Sequence, residues 1–103
     1  MSFYLLNGFC PTMLAQSSAR LFITAAELGH AQVMARGGLR SGISDANVIA
    51  MYAEALCRSI ELAENVPLLN QGDTALVGVF STLPEGGIIK WFHLKVLSPA
   101  DHV

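Results

Sequence analysis

From Asp45 to about residue 63, Val48, Ile49, Tyr52, Leu56 and Ile60 recur at the spacing of one helix face, with Glu54, Arg58 and Glu61 mainly on the other. Ser44 stands in front as the expected N-cap. Asp45 falls in the first turn, where a carboxylate suits the positive end of the helix dipole. A helix with one apolar face needs a second layer to bury it, and the runs on either side read as strands. "FYLL" (3–6), ended by Asn7-Gly8, is a buried first strand, and "ARLFIT" (19–24) is a second. "TALVGVFS" (74–81) and "IIKWFHLKVL" (88–97), joined by the turn "LPEGG" (83–87), form a hairpin. Thr24 with Glu27 matches a capping box and predicts a helix over 25–35, weakened at Gly29 by about 1 kcal/mol. "NVPLLN" (65–70) reads as a short edge strand, because Pro67 cannot donate to a ladder. Strands and helices interleave, so the expected fold is α/β: a small single domain over residues 1–103, with a mixed sheet flanked by two helices.

Size and charge narrow what such a domain does. One domain of 103 residues lies near the small end of independently stable folds. It is 52% hydrophobic and 14% charged, so part of the apolar excess is expected in a subunit interface, giving a homo-oligomer with a dimer as the simplest form. No apolar run approaches the ~18 residues of a membrane span, and "MSFYLLNGFC" lacks the basic start of a signal peptide. A net charge of −2 argues against binding polymeric nucleic acid but not against a small anion held by a few arginines. Cys10 and Cys57 are expected as buried free thiols. His30, His93 and His102 are not spaced with other ligands as a metal cluster would be, so neither metal nor other cofactor is expected.

"RGGLRSGISDANV" (36–48) is the segment most suited to chemistry. A glycine-rich connection can turn backbone N–H groups inward as an anion nest, and a helix N-terminus adds its own unpaired donors. Arg36 and Arg40 bring bidentate forks, with Gly38, Gly42, Ser44 and Asp45 completing the candidate ligand site. The plainer reading is a flexible connection with a solvated cap. No Gly-Lys-Ser/Thr closes the segment, so it is not a Walker loop. Glu85 in "LPEGG" is either a solvent-facing turn residue or a carboxylate presented at the sheet edge. Ser44 has no histidine within local reach, so no nucleophilic triad is legible. Phe9, Tyr52, Phe80 and Trp91 are assigned to core or interface rather than to base stacking.

Three blocks taken together, "LLNGFCPTML" (5–14), "SGISDANV" (41–48) and "LPEGG" (83–87), with "GDTALVGVF" (72–80) between the last two, resemble the small viral anti-CRISPR ring-nuclease family, first seen as proteins of unknown function in archaeal viruses. The resemblance covers about half the chain in short blocks. It implies a homodimer with a central pocket for a cyclic oligonucleotide second messenger, in the host cytoplasm, and metal-free cleavage of that ring. Asn7 and Glu85, in the first and last of these blocks, join the candidate ligand site. The family's catalytic histidine stands at the start of the main helix in an Ile-Gly-His context, and a glutamate in the "LPEG" turn assists it. Glu85 carries over. The histidine does not, because "SGIS" puts Ser44 at its place. His30, in "ELGHAQV", is the alternative histidine, but it falls inside the first expected helix.

The substitution has a chemical consequence. A general acid or base of near-neutral pKa contributes about 10²–10⁴-fold to such a cleavage, and an unactivated serine cannot supply it. Three readings follow. The first is an anti-defence protein that binds and sequesters a cyclic nucleotide messenger, by analogy of role and size with phage proteins that soak up the cyclised ADP-ribose signals of the Thoeris system. The second is an active ring nuclease using His30 and Glu85. The third is an interaction module without a small ligand.

Overall fold

A computed structural model describes residues 2–15, 19–65, 67–80 and 88–97. Five strands, β1 (Phe3–Leu6), β2 (Arg20–Ala26), β3 (Leu39–Ser41), β4 (Thr74–Phe80) and β5 (Ile88–Leu97), form one sheet in the order β2-β5-β4-β1-β3. β1 runs parallel to β3 and to β4, whereas β5 is antiparallel to both β4 and β2. Four strands therefore point the same way, and their carboxyl ends share one edge of the molecule. Two helices, α1 (Leu28–Ala35) and α2 (Ala46–Leu56), complete a small α/β domain.

Both helices cover the same face of the sheet. Ala31 and Ala35 of α1 and Tyr52 and Leu56 of α2 bury against Leu5, Leu76 and Trp91. Tyr52 and Trp91 meet edge to face with centroids 5.0 Å apart. Among the described residues the opposite face has no helix of that size. Met13, from the short 3-10 turn Pro11–Met13, and Leu69 cover Leu6, Ala75, Val77, Leu94 and Val96. Asp73 is 5% exposed and ties this layer to β1: its carboxylate accepts from the backbone N–H groups of Ser2 (2.9 Å) and Asn70 (2.8 Å).

Several local expectations are corrected. The 24–27 capping box does not form, since β2 continues to Ala26 by pairing Thr24–Ala26 with His93–Trp91 of β5. Glu27 is the N-cap of α1, without a side-chain cap bond. Ladder hydrogen bonds and cross-strand contacts have outweighed a weak local signal. α2 stops at Leu56, not near 63, because Cys57 turns left-handed (φ 57°, ψ 43°) and Arg58 N–H bonds back to Ala53 O at 3.2 Å. The turn brings Ile60 back against the core and Ala63 N–H to Ile43 O at 2.8 Å. Both cysteines are free and exposed instead of buried, Cys57 as that helix cap and Cys10 in the loop after β1. Residues 65–70 form no edge strand among the described residues, only a parallel bridge of Leu69 to Leu14.

Candidate functional site

The chain leaves β1 and β3, neighbours in the sheet, toward opposite faces. After β1 it turns to the face without helices, where Phe9, Met13 and Leu14 pack; after β3 it enters α2 on the other. Adjacent parallel strands whose connections diverge in this way leave a crevice beyond their carboxyl ends, the place where open α/β sheets bind ligands. Here a cavity of about 220 Å³ is lined by Leu6, Asn7, Gly8, Met13, Gly42, Ile43 and Ser44. Leu6 and Ile43 form its buried floor, while Asn7 and Ser44 are exposed at its mouth.

The cap of α2 lies one residue later than expected. Asp45, with extended φ and ψ, accepts the Asn47 N–H at 2.9 Å. Burial of Ile43 at 1% exposure keeps the chain extended for two further residues after β3, so Ser44 is left beside the crevice rather than on the cap. The nest expected from the glycines is partly occupied by the fold itself. Gly42 N–H donates to Leu5 O at 2.8 Å, and Ile43 N–H to Ser41 Oγ at 3.3 Å. Gly42 is required by packing: a Cβ there would sit 2.7 Å from both Leu6 Cδ2 and Pro67 Cδ. The donors left at the mouth are the Asn7 amide and the Ser44 hydroxyl.

Tyr52 secures the same strand ends from beneath. β1 and β4 cease to pair after Leu6 and Val77. There the fully buried Tyr52 hydroxyl accepts from Gly78 N–H (2.8 Å) and lies within donating reach of Leu6 O (2.9 Å) and Gly78 O (3.2 Å). Burial pushes its pKa up to about 12, with the bond to Gly78 opposing in part.

The structure does not gather residues 36–45 at one point. Arg36 and Gly38 lie before β3, at the amino-end edge of the sheet, and Arg40 lies mid-strand opposite Tyr4. Arg36 lines a cavity of about 470 Å³ and Arg40 an adjoining one of about 500 Å³, with Arg58 and Ser59 shared by both. Arg58 donates to the carbonyls of Ala35 and Gly37, capping the negative end of α1. Asn7, Gly42 and Ser44 thus meet in the crevice, with Asp45 next in the chain, whereas Arg36, Gly38 and Arg40 flank a separate cleft. Glu85, the 83–87 turn, His102 and the side chain of Phe80 lie outside the described residues.

His30 is exposed in the first turns of α1. It acts electrostatically on His93, whose pKa is lowered by burial first, then by His30 and by Lys95. The His93 ring lies 6.2 Å from that of Phe3, tilted by 59°. Among the described residues no three His, Cys, Asp or Glu side chains come together as metal ligands would. No helix there is long and apolar enough to cross a membrane. Sequence reasoning missed Leu6, Gly8, Met13 and Ile43 as crevice residues. The only signal for them is that "LLNG" and "RSGIS" both end parallel strands, which becomes visible once the strand order is known.

This fold is similar to that of a solved viral protein. The chain is similar to B116 of Sulfolobus turreted icosahedral virus, with a TM-score of 0.76 and 16% identity over 92% of this chain and 99% of that one. At that identity the likeness establishes the fold. No family model matches the chain, and no curated protein matches it.

Proposed function

We propose that this protein is a viral or prophage anti-defence protein that binds a cyclic nucleotide immune messenger in the host cytoplasm and holds it intact, as a homo-oligomer. The carrying observation is the carboxyl-end crevice, where Asn7 and Ser44 stand over a floor of Leu6 and Ile43 beside the α2 N-terminus. Amide and hydroxyl donors around an apolar floor suit a ligand with phosphate oxygens and nucleobase faces. Ser44, at the place where the resembling family carries its histidine, hydrogen-bonds a phosphate without shuttling a proton near neutral pH. The fold likeness to a viral protein supports the setting.

The test is a thermal-shift series against cyclised ADP-ribose isomers and cyclic oligoadenylates, with mass analysis of ligand released by denaturation. Ligand at 100 times its Kd adds about 2.7 kcal/mol of stability, a rise on the order of 10 °C for a domain of this size. A shift with intact ligand, abolished in the Asn7→Ala/Ser44→Ala variant, is the expected result. A shift with linearised product makes the protein a ring nuclease instead, and no shift with any messenger leaves an interaction module.

A further inference from the structure

We propose that the cleft lined by Arg36, Arg40 and Arg58 is a second ligand site, separate from the crevice, that takes a nucleoside 5′-monophosphate. It does not depend on what the crevice binds.

The cations of this chain are gathered rather than spread. The sequence carries six lysines and arginines against eight acidic residues. Three of the six line two adjoining cavities of about 500 and 470 Å³, which share Arg58 and Ser59. Among the described residues Glu61 is the one carboxylate in that lining. The side chains of Arg36 and Arg40 are exposed and make no hydrogen bond or ion pair among the described residues.

Three separate elements bring these arginines together. Arg36 follows α1, Arg40 is the middle residue of β3, and Arg58 follows α2. The left-handed turn at Cys57 sends residues 58–63 back toward the β3 end, where Ala63 N–H reaches Ile43 O at 2.8 Å.

Helix ends account for part of the charge. The carboxyl ends of α1 and α2 both border the cleft, and each carries roughly half a unit of negative charge. Arg58 serves α1: Nη1 donates to the carbonyls of Ala35 and Gly37, and Nε donates to Ser59 O at 3.2 Å. Two helix ends and Glu61 together offset about two of the three positive charges, leaving roughly one. That remainder suits a single phosphate group and is too small for a polyphosphate or a nucleic-acid backbone. The same bonds hold the Arg58 guanidinium in place and leave Nη2 without a partner among the described residues, ready to donate to a phosphate oxygen. The exposed Ser59 hydroxyl, where the two cavities meet, is a second donor.

The rest of the lining selects what the phosphate is attached to. Leu39, Ile60 and Leu62 line the larger cavity, and Leu62 is 58% exposed. An inorganic anion leaves these side chains in water, whereas a ligand with an apolar planar body covers them. Glu61 stands among them and, ionised, only accepts hydrogen bonds, so that body must also carry donors. Ribose hydroxyls and the exocyclic amine of a base supply them; a fatty chain does not. Cavities of this size fall within the ~300–1,000 Å³ of small-ligand sites.

The test is titration of the wild-type protein with adenosine 5′-monophosphate, adenosine and inorganic phosphate at low salt, by calorimetry and backbone-amide NMR. The expected result is that the monophosphate binds more tightly than adenosine or phosphate and shifts amides within 36–41 and 58–63. Arg36→Gln and Arg40→Gln should each weaken it about tenfold, the low end for a charge-assisted hydrogen bond because both side chains are exposed. Leu62→Ser should weaken binding of the monophosphate and leave that of inorganic phosphate unchanged. The Asn7→Ala/Ser44→Ala variant should bind the monophosphate as the wild type does. The wild-type amide shifts stand alone if a variant fails to fold. The proposal is overturned by a wild type that does not bind the monophosphate, or binds it no better than adenosine or phosphate. Shifts confined to residues 7 and 42–44, or unaltered binding in folded arginine variants, overturn it equally. Messenger binding at the crevice is read separately by thermal shift, so either reading can fail without the other.

Discussion

Replacing Tyr52 by phenylalanine removes one oxygen and tests whether α2 locks the strand ends that bear the crevice. The ring stays packed against Trp91, so the transfer and cavity terms are close to unchanged. What is lost is the acceptor for Gly78 N–H at 2.8 Å and the donor facing Leu6 O at 2.9 Å, at a fully buried position. A buried donor stripped of its acceptor costs about 1–3 kcal/mol, and the orphaned carbonyl adds a smaller amount. The expected destabilisation is about 2–3 kcal/mol, out of the 5–15 kcal/mol ordinary for a domain of this size. Urea unfolding by circular dichroism should show a lower midpoint with unchanged slope, and Tm should fall on the order of 10 °C.

The wild type also carries an alkaline signature. Because the folded pKa of Tyr52 is raised from 10 to about 12, folding binds the proton more tightly. Its stabilisation is complete below pH 10 and is lost as pH rises through about 12. The phenylalanine variant should lack that loss. A variant within 0.5 kcal/mol of wild type, with the same alkaline profile, would refute the view that this hydroxyl terminates the β1–β4 pairing.

Three further outcomes follow from the same geometry. Gly42→Ala places a methyl group 2.7 Å from Leu6 and Pro67, and overpacking of this kind costs about 1–3 kcal/mol, readable by thermal unfolding. Asp45→Ala removes the α2 cap, costing about 0.5–2 kcal/mol, while Asp45→Asn keeps the bond to Asn47 N–H, removes a negative charge near the crevice and should tighten binding of any phosphate-bearing messenger by calorimetry. His93 has a depressed pKa, so it favours the fold above its unfolded value of about 6.5 and that contribution disappears as pH falls through the folded value. In an NMR titration His30→Gln should raise the His93 midpoint, and a midpoint unmoved by that change would exclude their electrostatic contact.

The sheet was legible where apolar runs were long. β1, β4 and β5 fall within a residue of their expected bounds, because Leu5, Leu76 and Leu94 belong to strands that the core demands whatever the local propensity. The ends of β2 and α2 were not legible. Thr24 and Glu27 look like a cap until β5 is known to lie alongside, and nothing local announces that Cys57 will turn left-handed. The site fared likewise. Ser44 and Asn7 stood out by residue type, but their meeting depends on β1 and β3 being neighbours, a non-local fact. Arg36 and Arg40 were joined to Ser44 by proximity in the chain, but β3 holds Arg40 at its own centre and leaves Arg36 before its amino end, lining clefts other than the crevice.

That separation changes what the basic residues can do for a ligand. An anion seated at Asn7 and Ser44 has no arginine supplied by the 36–40 segment of the same chain, and the carboxylate of Asp45 stands close by. Backbone and neutral side-chain donors then carry the recognition, and such donors lose less affinity to salt than an arginine clamp does. Binding through the crevice should therefore weaken only slightly between 50 and 500 mM salt, whereas binding through the Arg36–Arg40–Arg58 cleft should fall steeply. A steep salt dependence, together with loss of binding in Arg36→Glu or Arg40→Glu, would move the site to the amino-end cleft and leave Ser44 with no part in it.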